Sequence, residues 1–159
     1  MPTNRIDIYD YEKTFRRAAE RLKSEPNICE ENKQNITKFT DHLFVRGISK
    51  PRIIKYINHL SVLARITGKP FQQLRKEDVE KLVSQINAAG YTEHTKRDYK
   101  ITLKRFYQWL RDCNEDEHEY PTEVKWIKTK LHTKRLLPEA LLTTQEIKML
   151  IEATENPRD

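Results

Sequence analysis

"TKRDYKITLKRFYQWLR" occupies residues 95–111 and decides the fold class. Tyr99, Leu103, Phe106 and Leu110 recur at steps of three and four. At about 100° per residue they fall within roughly 60° of one another on a helical wheel. The same stretch carries six basic residues and one acidic residue, whereas an ordinary surface helix interleaves both signs. Arg97, Lys100, Lys104 and Arg111 fill a second arc of about 60° beside the apolar one. Lys96 lies between the two arcs. Such a helix turns one face to its own core and another toward something anionic.

The helical period extends outward in both directions. Residues 8–24 place Phe15, Ala18, Ala19 and Leu22 on one side, and Pro26 and Asn27 end that segment. Residues 30–46 carry Ile36, Phe39, Leu43 and Phe44, with Gly47 as the stop. Ser49 stands as an N-cap before a helix over 50–67 with Pro51 in its first turn. Its stripe is Ile53, Ile57, Leu60 and Ala64, and Gly68 closes it. Residues 76–88 bring Val79, Leu82, Val83 and Ile86 onto one face, Gly90 follows, and Thr92 caps the helix that contains the opening stretch. With only three glycines in the chain, a turn-rich β sandwich or barrel is excluded. The expectation is an all-α fold.

A chain of 159 residues is long enough to bury a core without disulfide or metal staples. Because only 36% of residues are hydrophobic and 34% are charged, that core must come from narrow stripes. Cys29 and Cys113 read as free thiols of a reducing compartment. The N-terminus lacks a signal-peptide h-region, and no stretch approaches the roughly 18 apolar residues of a membrane span. A cytoplasmic protein without a membrane partner is expected.

The net charge of +6 hides strong segregation. From His42 to Lys76 there are eight basic residues and no Asp or Glu; residues 112–123 then hold six acids and no Lys or Arg. Residues 124–135 are basic again. Positive charge concentrated on two helices and one connecting segment is the footprint expected for a polyanion partner. After "YPTEVKWIKTKLHTKRLLPEALLT", whose periodicity is poor and which reads as an extended linker, Thr143 and Glu146 form a capping box. The helix they open carries Ile147, Leu150 and Ile151.

Four segments, taken in order, resemble the core-binding portion of tyrosine site-specific recombinases, the family of phage integrases and Xer-type recombinases. These are "RGISKPRIIKYINHL", "GKPFQQLRKEDVEKLVSQI", "TKRDYKITLKRFYQWL" and "LLPEALLTTQEIKMLIEA". "YPTEVKWIK" and the extra N-terminal helix are similar to archaeal members. Arg75 departs from the Ser or Thr that family members often carry before the "KED" turn, which weakens a cap there. The resemblance implies a four-helix SAM-like core-binding bundle that forms half of a clamp around double-stranded DNA. It also implies that the third and fifth helices of this chain face the major groove.

The implied organisation is a helical extension over 1–28, a DNA-binding domain over 29–123, a linker over 124–142, and over 143–159 the first helix of an incomplete catalytic domain. The family's catalytic tyrosine, arginines and histidine have no counterpart in this sequence, so it is expected to bind DNA without cutting it. Integration or recombination would belong to the full-length parent, with self-association on DNA.

The residues expected to contact DNA are Lys50, Arg52, Lys55, Lys96, Arg97, Lys100, Lys104, Arg111, Lys134 and Arg135. Most such contacts go to phosphates, and Arg97 and Lys100 are placed to reach a base edge, where arginine reads guanine. The bland reading of these cations is a solvated helix face. Lys128 and Lys130 track the DNA backbone or serve solubility. Ser49, Thr92 and Thr95 are read as caps, His59 as a surface histidine, and Tyr99 and Phe106 as core rather than a stacking platform. The histidines lack ligand spacing, so no metal or cofactor is expected. The acidic 112–119 loop is read as solvated, as repelling DNA, or as meeting a neighbouring protomer. Two other functions fit the same charge pattern: a helix-turn-helix regulator, and a helical module that binds acidic proteins.

Overall fold

The computed structural model describes residues 10–131 and 141–154, and every regular element among them is helical. The order is α1 (Tyr11–Ser24), α2 (Glu30–Val45), α3 (Lys50–Thr67), a 3₁₀ turn (Phe71–Gln73), α4 (Lys76–Ala88), α5 (Glu93–Leu110), α6 (Thr122–Lys125) and α7 (Thr144–Ala153). None of the described helices is long and apolar enough to cross a membrane. The all-α expectation holds, and α3 and α4 begin and end where their caps and breakers placed them.

The chain divides into two units; one runs to Leu131 and contains α1 to α6, while α7 belongs to the other. In the first unit α3 touches α1, α2, α4 and α5. Leu22 of α1, Ile36 of α2, Leu60 of α3, Leu82 of α4 and Leu103 of α5 share one core. Its centre is aromatic. The Phe106 ring lies 5.3 Å from Phe39 and 4.9 Å from Phe71, both edge-on, the arrangement aromatic quadrupoles favour.

Gly47 closes α2 at φ +71. The left-handed conformation there lets the Ile48 N–H reach back to the Leu43 carbonyl at 3.0 Å, a Schellman ending. Asp112 plays the same part for α5 at φ 52, with the Cys113 N–H donating to Gln108 O at 2.9 Å. At the start of α4, Arg75 has no accepting side chain. Asp78 compensates, its Oδ2 accepting from the Arg75 N–H at 3.1 Å, and that bond holds the Asp78 carboxyl below its ordinary range.

Two polar side chains lock turns to the core. Asn32, 1% exposed, donates through Nδ2 to Lys69 O at 2.9 Å and accepts from the Phe71 N–H at 2.8 Å. Tyr107 is fully buried and donates its hydroxyl to Phe71 O at 2.9 Å. They add to the bonds that the 3₁₀ turn and Thr67 give the backbone of residues 69–71, and Asn32 supplies the acceptor for the Phe71 N–H.

The extended linker expected from residue 124 is corrected. Residues 122–125 form a helical turn, and Val124 and Ile127 are 0% and 3% exposed in the common core. Two apolar residues three apart suffice to bury that turn, so the bundle continues to Leu131. Likewise α1, expected as an extension, lies within the same unit through Ala18 and Leu22. In the other unit α7 opens with the expected capping box: Glu146 N–H donates to Thr143 Oγ1 at 3.2 Å and Thr143 N–H to Glu146 Oε2 at 2.7 Å.

Candidate nucleic-acid interface

A groove runs between the N-terminal halves of α3 and α5, lined by Arg52, Lys55, Tyr56, Arg97, Asp98 and Thr102. The helical period supplies it from both sides. Arg52, Lys55 and His59 follow one another at steps of three and four on α3, while Asp98, Thr102 and Arg105 do so on α5. Among the described residues Asp98 is the one carboxylate that lines the groove, and it pairs with Lys55 across it. Arg52 is exposed, and its side chain makes no hydrogen bond or ion pair among the described residues. Burial pushes the Tyr56 hydroxyl above its ordinary value, and the nearby Arg105 and Arg52 guanidiniums work against that rise. The groove thus holds more positive charge than its single acid offsets.

His59 corrects the surface-histidine expectation. Its ring stacks on Tyr99 at 4.2 Å, and Nδ1 lies 3.0 Å from Thr102 Oγ1. Burial, with the Lys55 charge beside it, lowers its pKa from the ordinary 6.5 to about 4, against an opposing pull from Asp98. The unfolded chain therefore takes up the proton first as pH falls. The contribution of this group is whole above about 6.5 and is lost on the way down to about 4. A His59→Gln variant should lose less stability than the parent between pH 7 and pH 4.5, read from urea midpoints. Equal losses would mean that His59 is not the titrating group.

The second arc of α5 serves a different purpose from a free cationic face. Arg97 Nε donates to Thr129 O at 2.8 Å, and Lys104 Nζ to Ile127 O at 3.3 Å. Lys104 also sits 4.3 Å from the centre of the Tyr120 ring, and desolvation lowers its pKa. Arg111 pairs with Glu123 at 3.0 Å and donates to Gln72 O at 3.1 Å. Three of the four arc cations therefore tie the 121–131 segment to α5. Because carbonyl oxygens hold Arg97 and Lys104, both keep their charge, whereas Glu123 neutralises Arg111.

The other expected site residues scatter. Lys50 pairs with Glu12 of α1, and Lys96 with Glu93 at 2.9 Å. Lys100 makes no side-chain hydrogen bond or ion pair among the described residues, yet it lies about 160° around α5 from Asp98, away from the groove. Lys134 and Arg135 lie outside the described residues. Sequence reasoning passed over Arg105 and Asp98. Their i, i+7 relation is the signal that puts both on the face turned to α3.

The acidic loop is docked rather than simply solvated. Glu115 Oε1 meets His42 Nε2 at 2.8 Å, and Arg46 reaches Glu115 at 3.6 Å and Asp116 at 3.3 Å. Thr92 caps α5 by accepting from the Thr95 N–H at 3.2 Å, whereas the Ser49 side chain makes no cap bond on α3.

Residues 36–114 match the family described as phage integrase, N-terminal SAM-like domain. The span begins inside α2, contains α3, α4 and α5 entire, and leaves out α1 and α6. No curated protein and no solved structure matches the chain. Three of the four ordered landmarks, at 46–60, 68–86 and 95–110, fall inside this all-helical span, and the fourth lies beyond it. The helical domain of this chain therefore belongs to the phage integrase N-terminal SAM-like family, the core-binding domain of tyrosine recombinases.

Proposed function

We propose that this domain binds double-stranded DNA through the groove between α3 and α5, as the core-binding part of a site-specific recombinase. The observation that carries the reading is the surplus of positive charge at that groove. Arg52 and Arg97 line it and Arg105 acts on its Tyr56; among the described residues none of the three is paired with an acid, whereas Lys55 is. Arginine forks suit phosphate and guanine alike, and Asp98 is a carboxylate of the kind that accepts from cytosine N4. The segment is proposed to hold DNA and to leave strand cleavage to other residues of the parent.

The test is fluorescence anisotropy of a labelled duplex of about 30 base pairs at several salt concentrations. If three or four phosphates are neutralised, log affinity should fall with log salt at a slope of about −2.7 to −3.6. Between 50 and 200 mM that is about a hundredfold loss. Arg52→Glu should weaken binding tenfold or more without changing the melting temperature, because Arg52 has no partner to lose. Absence of binding at 50 mM salt would refute the reading, as would an affinity indifferent to salt.

A further inference from the structure

We propose that α1 is a second, sequence-independent DNA-contacting element, in which Arg17 and Arg21 bind backbone phosphates flanking those reached from the α3–α5 groove. The proposal rests on the reading of α3 and α5 as the DNA-facing pair and extends it to a helix outside the matched residues 36–114. A second groove borders α3 on its other flank, lined by Arg21, Glu25, Asn58, Val62 and Arg65. Lys55, Asn58 and Val62 lie within about 60° on the α3 wheel, so both grooves open on the same side of the bundle.

Three contacts fix the placement of α1. Glu12 pairs with Lys50 near the start of both helices, Arg21 in the last turn of α1 donates to Asn58 Oδ1 at 3.2 Å in the middle of α3, and Glu25 meets Arg65 at 3.5 Å near both ends. The two helices therefore run parallel along their length, with α3 between α1 and α5. Adjacent helices pack about 8–10 Å apart, so the axes of α1 and α5 stand roughly 16–20 Å apart. A major groove is about 12 Å wide. With the α3–α5 pair at that groove, α1 lies beyond its edge, over the sugar–phosphate backbone.

The ion-pair pattern singles out the two arginines. Glu12 neutralises Lys50 and Glu25 neutralises Arg65. Arg21 is held by a neutral amide oxygen, which orients its guanidinium without cancelling the charge. Arg17, one turn earlier, is exposed and makes no hydrogen bond or ion pair among the described residues. Glu20 lines one hollow with Arg17 and Arg21 and stands about 60° around the helix from Arg17 and about 100° from Arg21, yet it makes no ion pair with either among the described residues. Phosphate contacts carry no sequence information, so α1 adds affinity and salt dependence but no specificity.

The experiment compares the parent chain, an Arg17→Ala/Arg21→Ala double variant and Arg52→Glu on two unrelated duplexes of about 30 base pairs at 50, 100 and 200 mM salt. The double variant should bind about threefold to thirtyfold more weakly at 100 mM on both duplexes. Its salt slope should be shallower by nearly two units, at about 0.9 per phosphate released. If the parent binds and Arg52→Glu weakens it while the double variant keeps slope and affinity, α1 faces solvent or a protein, and this proposal is overturned alone. If the parent does not bind, the underlying reading fails first. Should the double variant unfold by circular dichroism, Arg17→Gln decides the matter. Arg17 anchors nothing, so a slope that does not become shallower by about one unit overturns the proposal.

Discussion

Phe106→Ala should lower the stability of the helical domain by about 3–5 kcal/mol, the usual cost of truncating a fully buried phenylalanine. Phe106 is 0% exposed, and its ring meets Phe39, Phe71, Tyr107 and Trp109 within 6.0 Å. Those partners come from α2, the 3₁₀ turn and α5 itself, so no single helix can move in to refill the space. Against a typical total of about 5–15 kcal/mol, a loss of this size leaves a marginal domain. Urea denaturation of parent and variant measures it. A difference under about 1.5 kcal/mol would show that the site collapses around the smaller residue, and that the aromatic centre is not what joins α2 to α5.

Asn32→Ala should cost about 2–4 kcal/mol, because each buried polar group left unpaired costs roughly 1–3 kcal/mol. Both ends of the amide are engaged, one to Lys69 O and the other to the Phe71 N–H. Their loss strips the 69–71 turn of the bonds that pin it to α2. Faster amide exchange at Phe71, measured alongside the denaturation midpoint, separates this cause from a simple cavity. Unchanged exchange at Phe71 would mean that another acceptor or water replaces Asn32.

The sequence exposed the helices where punctuation is strong. Ser49 and Gly68 bracket α3, and acidic residues at the start of α4 with a glycine after it left little freedom. Residues 122–131 were illegible for the opposite reason: Val124 and Ile127 are too few to establish a period, and their burial depends on a groove that exists only once α4 and α5 have packed. Charge could be counted but not assigned. The arc of Arg97, Lys104 and Arg111 looked like a free face because nothing in a helical wheel shows the carbonyls of Ile127 and Thr129 arriving from a distant segment. His59 was misjudged for the same reason, since Tyr99 and Thr102 cover it from another helix. Arg105 shows the reverse case, a residue that the wheel places beside Asp98 but that counting alone overlooked.

The docked acidic loop has a consequence for how the molecule travels. Arg46 and His42 hold Glu115 at the far end of α5, while Asp112, Glu117 and Glu119 make no ion pair among the described residues. At 1.5 Å per residue, about 25 Å of helix and turn separate Arg97 from that loop. Opposite charges fixed that far apart on a rigid rod give the domain a permanent molecular dipole moment. A polyanion exerts a torque on such a body before touching it, turning the basic end forward. Salt would then slow capture by blunting orientation as well as attraction.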